Sequence, residues 1–517
     1  MTTTSITDVL IVGAGPAGTT LAIDLARRGV TVRLIDKAPH AFDGSRAKGI
    51  QPRTLEVLDD LGALPDIINQ GDLYPPMGIH LGPVTIPYRA MAKGKRTPDV
   101  PYPDTWLIPQ HRTDRALHAR FESLGGRVEF GTEMMKFTAH DTHITAHVAT
   151  AEGAKDITAR YLVGADGGSS RVRKHLGVEF AGSTDEADRI LIVDAAVSGG
   201  LSRKYWHVWP GLKGRFVGAC PLPHSDTFQW MIRLAPDEAA PENLAQINAR
   251  IRSHTRNKRL ALHDIAWQSV FRPNIRLAQN YRRGRVLLVG DAAHVHTPAG
   301  AQGLNTGIGD AYNLGWKLGQ VLAGANGQLL DTYESERQPI AAGVLGLSTK
   351  KYEGIGKFDP SSMRRGKDEK QLALTYHGGP LAVLAADRTK TLRVGDRAPN
   401  ADLVTADGRR MRLFDAYRGP HFTALAYGPH AAAVLAELDW PIVGAPLDRL
   451  IVTTDGALTD PTGKFARIYG LTRDTLLLIR PDGYIGHIAI HNGAETTRAA
   501  IRVMTPEPVA SAPSKRS

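Results

Sequence analysis

Asp8–Pro39, DVLIVGAGPAGTTLAIDLARRGVTVRLIDKAP, decides how the rest of the chain is read. Val9–Val12 form a short apolar run that reads as a buried strand, and Gly13, Gly15 and Gly18 follow as GxGxxG. Leu21, Ala22, Leu25 and Ala26 then recur at helical spacing, and Val30–Ile35 read as a second strand. Glycines in that order let the chain turn tightly, let a phosphate reach the backbone, and let the helix pack on the strand. N–H groups at a helix N-terminus favour phosphate. Asp36 lies at the spacing that brings a carboxylate onto an adenosine ribose, and Ala17 and Lys37 beside these motifs join the cofactor-binding set. Both NAD and FAD suit such a unit.

The 517 residues allow two to four domains. Lys and Arg number 63 against 52 Asp and Glu, a net charge of +11, but the basic runs KGKR and MRRGK are short and lack interleaved aromatics. Nucleic acid is therefore not an expected partner. Cys220 is the only cysteine, which excludes an internal disulfide and a CxxC redox centre. No window of eighteen uncharged apolar residues suggests a membrane span, and the N-terminus runs into the glycine motif without a basic leader. The expected location is the cytoplasm.

Two later stretches repeat the pattern of a strand ending in a carboxylate. In YLVGADGGSSRVRKHLG, Tyr161–Gly177, the strand ends at Asp166-Gly167 with Arg171 and Arg173 behind it. In GRVLLVGDAAHVHTPAGAQGLNTGIGDAYNLGWKL, Gly284–Leu318, it ends at Gly290-Asp291 and a helix begins near Gly307. Arg46, in a loop before a helix, either reaches a bound nucleotide or lies on the surface. Gln110, at a strand end, either binds the cofactor or caps a helix.

GxGxxG, then Asp166-Gly167, then Gly290-Asp291 followed by AAHVHTPAGAQGLN, is an ordered set that strongly resembles the FAD-dependent aromatic hydroxylases, over about the first 350 residues. The resemblance implies that Asp36 binds the adenosine ribose and that Arg46 and Gln110 bind the flavin nucleotide. It implies that Asp166 serves flavin and nicotinamide jointly and that Asp291 holds the ribityl and pyrophosphate region. Pro298 to Asn305 would lie over the isoalloxazine, with Pro298 and Gly303 beside the reacting ring and the N–H groups of Gly303, Leu304 and Asn305 stabilising charge on reduced flavin. NAD(P)H would reduce FAD, dioxygen would add to give a flavin hydroperoxide, and one oxygen would pass to an electron-rich aromatic ring. Arg46, Arg171 and Arg173 favour NADPH over NADH.

The expected fold is α/β: a Rossmann-like FAD-binding domain from 1–75, 105–180 and 280–350, with an inserted mixed β-sheet substrate domain from 76–104 and 181–279. A helical linker at 351–391 leads to a thioredoxin-like domain at 392–504, and a disordered tail occupies 505–517. GPHAAA stands where a thioredoxin would carry CxxC, which leaves a packing or dimer role. Trp209, Phe216 and Trp230 are candidate substrate-contacting aromatics in the period-two strands, with ordinary sheet core as the competing reading. His207 is a candidate base for a phenol proton. His294 and His296 form HVH, but two ligands do not make a metal site. The expected partners are a small phenolic, polyketide or antibiotic aromatic and dioxygen, for a monomer or homodimer. A flavin halogenase, another flavin oxidoreductase and a non-catalytic flavin-binding protein are the competing functions, and WHVWP departs from the halogenase pattern WxWxIP.

Overall fold

Parallel strands Thr7–Val12, Val32–Ile35, Gly153–Gly164 and Val286–Leu288 form the centre of an eight-stranded sheet in a computed structural model of the chain. It describes residues 6–91, 93–297, 301–356, 366, 368–382, 387–490 and 493–507. Val12 pairs with both Ile35 and Gly164, and Gly164 pairs with Leu288, so the strands end at one level. The glycine turn, Asp36, Asp166 and Asp291 therefore emerge at one edge of the sheet, where open α/β sheets bind their ligands.

The helices Pro16–Ala26 and Gly303–Leu322 pack on this sheet through small residues. An ideal Cβ on Gly290 would lie 2.9 Å from Ala17 Cβ, and one on Gly307 would lie 3.1 Å from Gly290 Cα. Gly290 also has φ +59, so the turn after Val289 needs a residue free of Cβ strain.

A second, seven-stranded sheet runs in the order Ala261–Phe271, Ile190–Ser198, Phe228–Arg233, Phe216–Pro221, Trp206–Pro210, Met77–Leu81, Val84–Tyr88. It is antiparallel except where Trp206–Pro210 lies parallel to Met77–Leu81. One face is covered by the helix Leu244–Thr255, whose Ile247 and Ile251 are buried in the core there. The opposite face meets the loop 42–50 of the first domain.

The third sheet spans Asp402 to Ala489 and is thioredoxin-like. Its hairpin joins Thr475–Ile479 to Ile485–Ala489 through Pro481-Asp482-Gly483, and Gly483 takes φ +74. The strand Phe422–Tyr427 feeds the helix Pro429–Ala436 at the GPHAAA segment. This domain is held to the first by a shared apolar cluster in which Trp316 meets Phe422, and by charge: buried Arg480 pairs with Glu336, and Lys317 pairs with the same carboxylate. Burial alone would raise the Glu336 carboxyl, but the Arg480 and Lys317 cations outweigh it and hold the group at about 2.

Two expectations about the chain change. The helix Asp331–Gly356 absorbs the start of the expected helical linker, and the described residues between 366 and 391 form turns and a bridge instead of a helix. Gln371 and Gly378, both at positive φ, disfavour a continuous helix there. Of the tail, Thr505 and Pro506 are buried: Thr505 Oγ1 donates to the Ile501 carbonyl, and Pro506 Cδ lies 3.3 Å from an ideal Cβ on Gly444; 508–517 lie outside the described residues. Among the described residues, no helix is long and apolar enough to cross a membrane.

Candidate active site

The three glycines of the first motif have three different environments. Gly13, at φ +107, would place a Cβ 2.3 Å from the Ala165 carbonyl oxygen, so the turn lies directly against the Asp166 motif. A Cβ on Gly18 would lie 2.0 Å from the Gly13 carbonyl oxygen, which only a glycine permits in this helix–strand contact. Gly15 has nothing within 4 Å of its ideal Cβ, and the helix it precedes has no side-chain cap. That open backbone cradle at an uncapped helix N-terminus fits a pyrophosphate.

Around the cradle stand groups with hydrogen bonds to spare. Asp36 accepts from the Ala14 N–H at 2.8 Å and the Ala38 N–H at 2.8 Å, which aims its carboxylate across the glycine turn; Lys37 beside it is exposed. The half-buried Asp291 carboxylate has no partner among the described residues, and its Oδ1 lies 3.9 Å from an ideal Cβ on Gly303. The helix Gly303–Leu322 begins there with no side-chain cap, leaving its first N–H groups for a ligand. Arg46 is exposed with no partner among the described residues. An open cradle, an unpartnered carboxylate and two uncapped helix starts on one sheet edge fit FAD, which supplies redox and oxygen chemistry when bound. Leu304 is half-buried in the same helix start, and Pro298 lies outside the described residues.

Several residues singled out in the sequence are spent on structure. The Asp166 carboxylate accepts from Ser170 Oγ at 2.5 Å and from the N–H groups of Arg171 and Val172 at 2.7 and 3.1 Å, so it caps the short helix behind it. Buried Arg173 donates to the carbonyls of Ala292 and Gly168, stitching the second motif to the third, and Arg171 pairs with Glu133. Asn305 uses its side chain to clamp the 49–51 strand, donating to the Gly49 carbonyl and accepting from the Gln51 N–H, both at 2.8 Å. Gln110 accepts from the Ala47 N–H at 3.3 Å and donates to Asp114 at 3.4 Å. Asp114 carried no signal of its own in the sequence. Its Oδ1 is buried without a partner, and burial, with the Asp36 charge nearby, pushes its carboxyl up to about 8.

The substrate sheet corrects the choice of aromatics by one residue of strand parity. His207 pairs with Ala219, Ala219 with Trp230 and Trp230 with Val193, while Trp209 pairs with Val217. All of these turn toward the Leu244–Thr255 helix, so Trp209 and Trp230 belong to the core on the far side from the flavin-binding edge. His207 is on that face too, and both its nitrogens are taken: Nε2 meets the Ser202 carbonyl at 2.6 Å and Nδ1 meets His80 Nε2 at 2.8 Å. Burial lowers its pKa, and it has no free nitrogen with which to take a phenol proton. The face turned to the 42–50 loop carries Trp206, Cys220, Gln229 and Asp194, followed by Phe216, Met231 and Ile192 at the next levels. Phe216 keeps a place on the substrate side.

His294 and His296 are likewise bonded within the protein. His294 meets His296 at 2.9 Å and Asp310 at 2.5 Å, and Asp310 also accepts from Arg337 at 2.7 Å. This buried chain ties the third motif to the two helices that follow it.

A Rossmann-like domain with a flavin cradle, under an inserted sheet and joined to a thioredoxin-like unit, defines a flavoprotein monooxygenase. The chain belongs to the FAD-dependent aromatic hydroxylases: residues 6–348 match the family described as FAD binding domain. It is 41% identical over 485 residues to a flavin-dependent monooxygenase of Mycobacteroides abscessus, covering 92% of this chain and 96% of that protein. It is 34% identical to the 12-dehydrotetracycline 5-monooxygenase/anhydrotetracycline 6-monooxygenase of Streptomyces rimosus, covering 92% and 94%. Its fold matches aklavinone-11 hydroxylase, solved with FAD and aklavinone, at a TM-score of 0.79. That match has 27% identity and covers 96% of this chain and 99% of the other.

Proposed function

We propose that this flavin-dependent monooxygenase takes electrons from NAD(P)H and inserts one oxygen atom of dioxygen into an electron-rich phenolic or polyketide aromatic. The observation that supports the reading best is the convergence of the Gly15 cradle, Asp36 and Asp291 on one sheet edge, under a second sheet whose near face carries Ile192, Met231 and Phe216 beside Asp194 and Gln229. In this arrangement the chain binds and orients FAD, and the 42–50 loop with the facing sheet excludes water from the ring to be oxidised. The relatives named for tetracycline and aklavinone chemistry favour a flat, polycyclic substrate.

The electron donor is a nicotinamide dinucleotide without strong selection for its 2′-phosphate. Arg173 is buried on two carbonyls and Arg171 faces Glu133, so of the three arginines that favoured NADPH only Arg46 is unengaged. The test is a screen of aromatic compounds for stimulated oxidation of NADPH and of NADH, with mass detection of an added oxygen. Oxygen insertion fed directly by the nicotinamide supports the reading. Activity that appears only with a separate flavin reductase and halide favours a halogenase, and bound FAD with no stimulated oxidation favours a non-catalytic role.

A further inference from the structure

The near face of the substrate sheet holds a directed chain of hydrogen bonds. Ser45 donates its N–H and Oγ to the Asp194 carboxylate at 2.7 and 2.5 Å, and Gln229 Nε2 donates to the Ser45 carbonyl at 2.9 Å and to its Oγ at 2.6 Å. That leaves Gln229 Oε1 as the acceptor for Lys48 Nζ. Lys48 also lies over the Trp206 ring, 4.9 Å from its centroid, and faces Asp194 and Cys220. Asp194, Ser45 and Gln229 thus satisfy one another, whereas an ammonium has three donors and only one is used.

The surroundings say what the spare donors could meet. Gly49, the next residue, would place a Cβ 2.8 Å from Ala301 Cβ, just ahead of the Gly303–Leu322 helix start, so Lys48 stands between the flavin-binding edge and the sheet. Along the same sheet face lie Ile192, Met231 and Phe216, an apolar floor for a flat ring. Burial disfavours the charged form of Lys48 and lowers its pKa, the nearby Asp194 charge opposes that, and an anionic oxygen at Nζ would favour the ammonium further.

We propose that Lys48 is a specificity-determining residue that binds the ionised oxygen of an acidic aromatic substrate, a phenolate or the enolate of a β-dicarbonyl ring. The inference rests on the aromatic hydroxylase reading and names the substrate class within it. A flat substrate would rest on Ile192, Met231 and Phe216 while its oxyanion accepts from Lys48 Nζ in place of water.

The test uses the oxidised, FAD-loaded protein without NAD(P)H, so that binding is read independently of turnover. Pentachlorophenol and its methyl ether, and alizarin and its fully O-methylated counterpart, are titrated while tryptophan fluorescence and flavin absorbance are followed. The wild type should prefer the ionisable member of at least one pair by about ten-fold or more. Lys48→Met should weaken that member by about ten-fold to a hundred-fold and the methylated one by less than about two-fold. Lys48→Arg, which keeps the charge, should fall between them and serves if the methionine variant fails to hold FAD. No preference for the ionisable compounds in the wild type, or an equal loss for both members in the variants, overturns the proposal. Lys48-dependent binding with no oxygen insertion in the turnover screen overturns only the hydroxylase reading.

Discussion

Arg480 donates to both carboxylate oxygens of Glu336, at 2.7 and 2.9 Å, across the junction between the thioredoxin-like domain and the flavin domain. Both side chains are 1% exposed, and Lys317 donates to the same carboxylate at 2.7 Å. Asp482, on the hairpin that carries Arg480, completes the cluster through its own pair with that arginine. A domain without its redox cysteines is thereby made part of the flavin domain's support.

Breaking this pair leaves a buried charge unmatched. Arg480→Met and Glu336→Gln should each lower stability by about 3–5 kcal/mol, measured by denaturant unfolding with flavin release as the probe. Because Glu336 titrates at about 2 when folded, below its ordinary 4.5, its contribution is present above about pH 4.5 and is lost as pH falls toward 2. Wild-type-like unfolding of both variants at neutral pH would show that the cluster does not join the domains.

Asp291→Ala should lose flavin far more than Asp166→Ala does. The free Asp291 carboxylate would accept hydrogen bonds from the cofactor's sugar-like chain, each contributing roughly 1.5–3 kcal/mol, so FAD should bind about ten-fold to several hundred-fold more weakly. Asp166 caps a helix instead, and its loss should cost about 0.5–2 kcal/mol of stability with a smaller change in affinity. Flavin titration and thermal unfolding of both variants separate these roles; a colourless Asp166→Ala beside a fully loaded Asp291→Ala reverses the assignment.

The glycine environments predict opposite phenotypes for neighbouring substitutions. Gly15→Val meets open space at an ordinary φ of −72, so the FAD-free fold should survive while FAD binding falls by about a hundred-fold or more. Gly18→Val drives a side chain into the Gly13 carbonyl and should prevent folding. Circular dichroism on FAD-free protein, alongside flavin titration, distinguishes them.

Asp114 should make the FAD-free protein lose stability as pH rises from about 4 to 8. Its carboxyl sits at about 8 when folded, far above about 3.9 unfolded, so the native state holds the extra proton between those values. Its stabilising effect is complete below about pH 4 and is lost as pH rises through 8, at up to about 1.4 kcal/mol per pH unit. Asp114→Asn cannot ionise, so its melting temperature relative to wild type should climb from pH 5 to about 8 and level off above that. A constant difference across that range removes Asp114 as the cause.

Sequence alone determined the parts of this protein whose physics is local. Gly13 and Gly18 have to be glycine because of the backbone beside them, Gly15 leaves the cradle open for a ligand, Asp36 and Asp291 sit at strand ends, and the order of the motifs sets the flavin fold. The missing cysteine pair at GPHAAA was equally plain. Tertiary structure decided which residues face the substrate. The Trp206–Pro210 strand packs on both sides, one against the Leu244–Thr255 helix and the other against the 42–50 loop, so alternation cannot tell Trp206 from Trp209. Lys48 and Gln229 lie 181 residues apart, and Glu336 and Arg480 lie 144 apart. Such pairs leave no periodic trace along the chain, because only closing the sheet over the loop, and the last domain onto the first, brings their charges together.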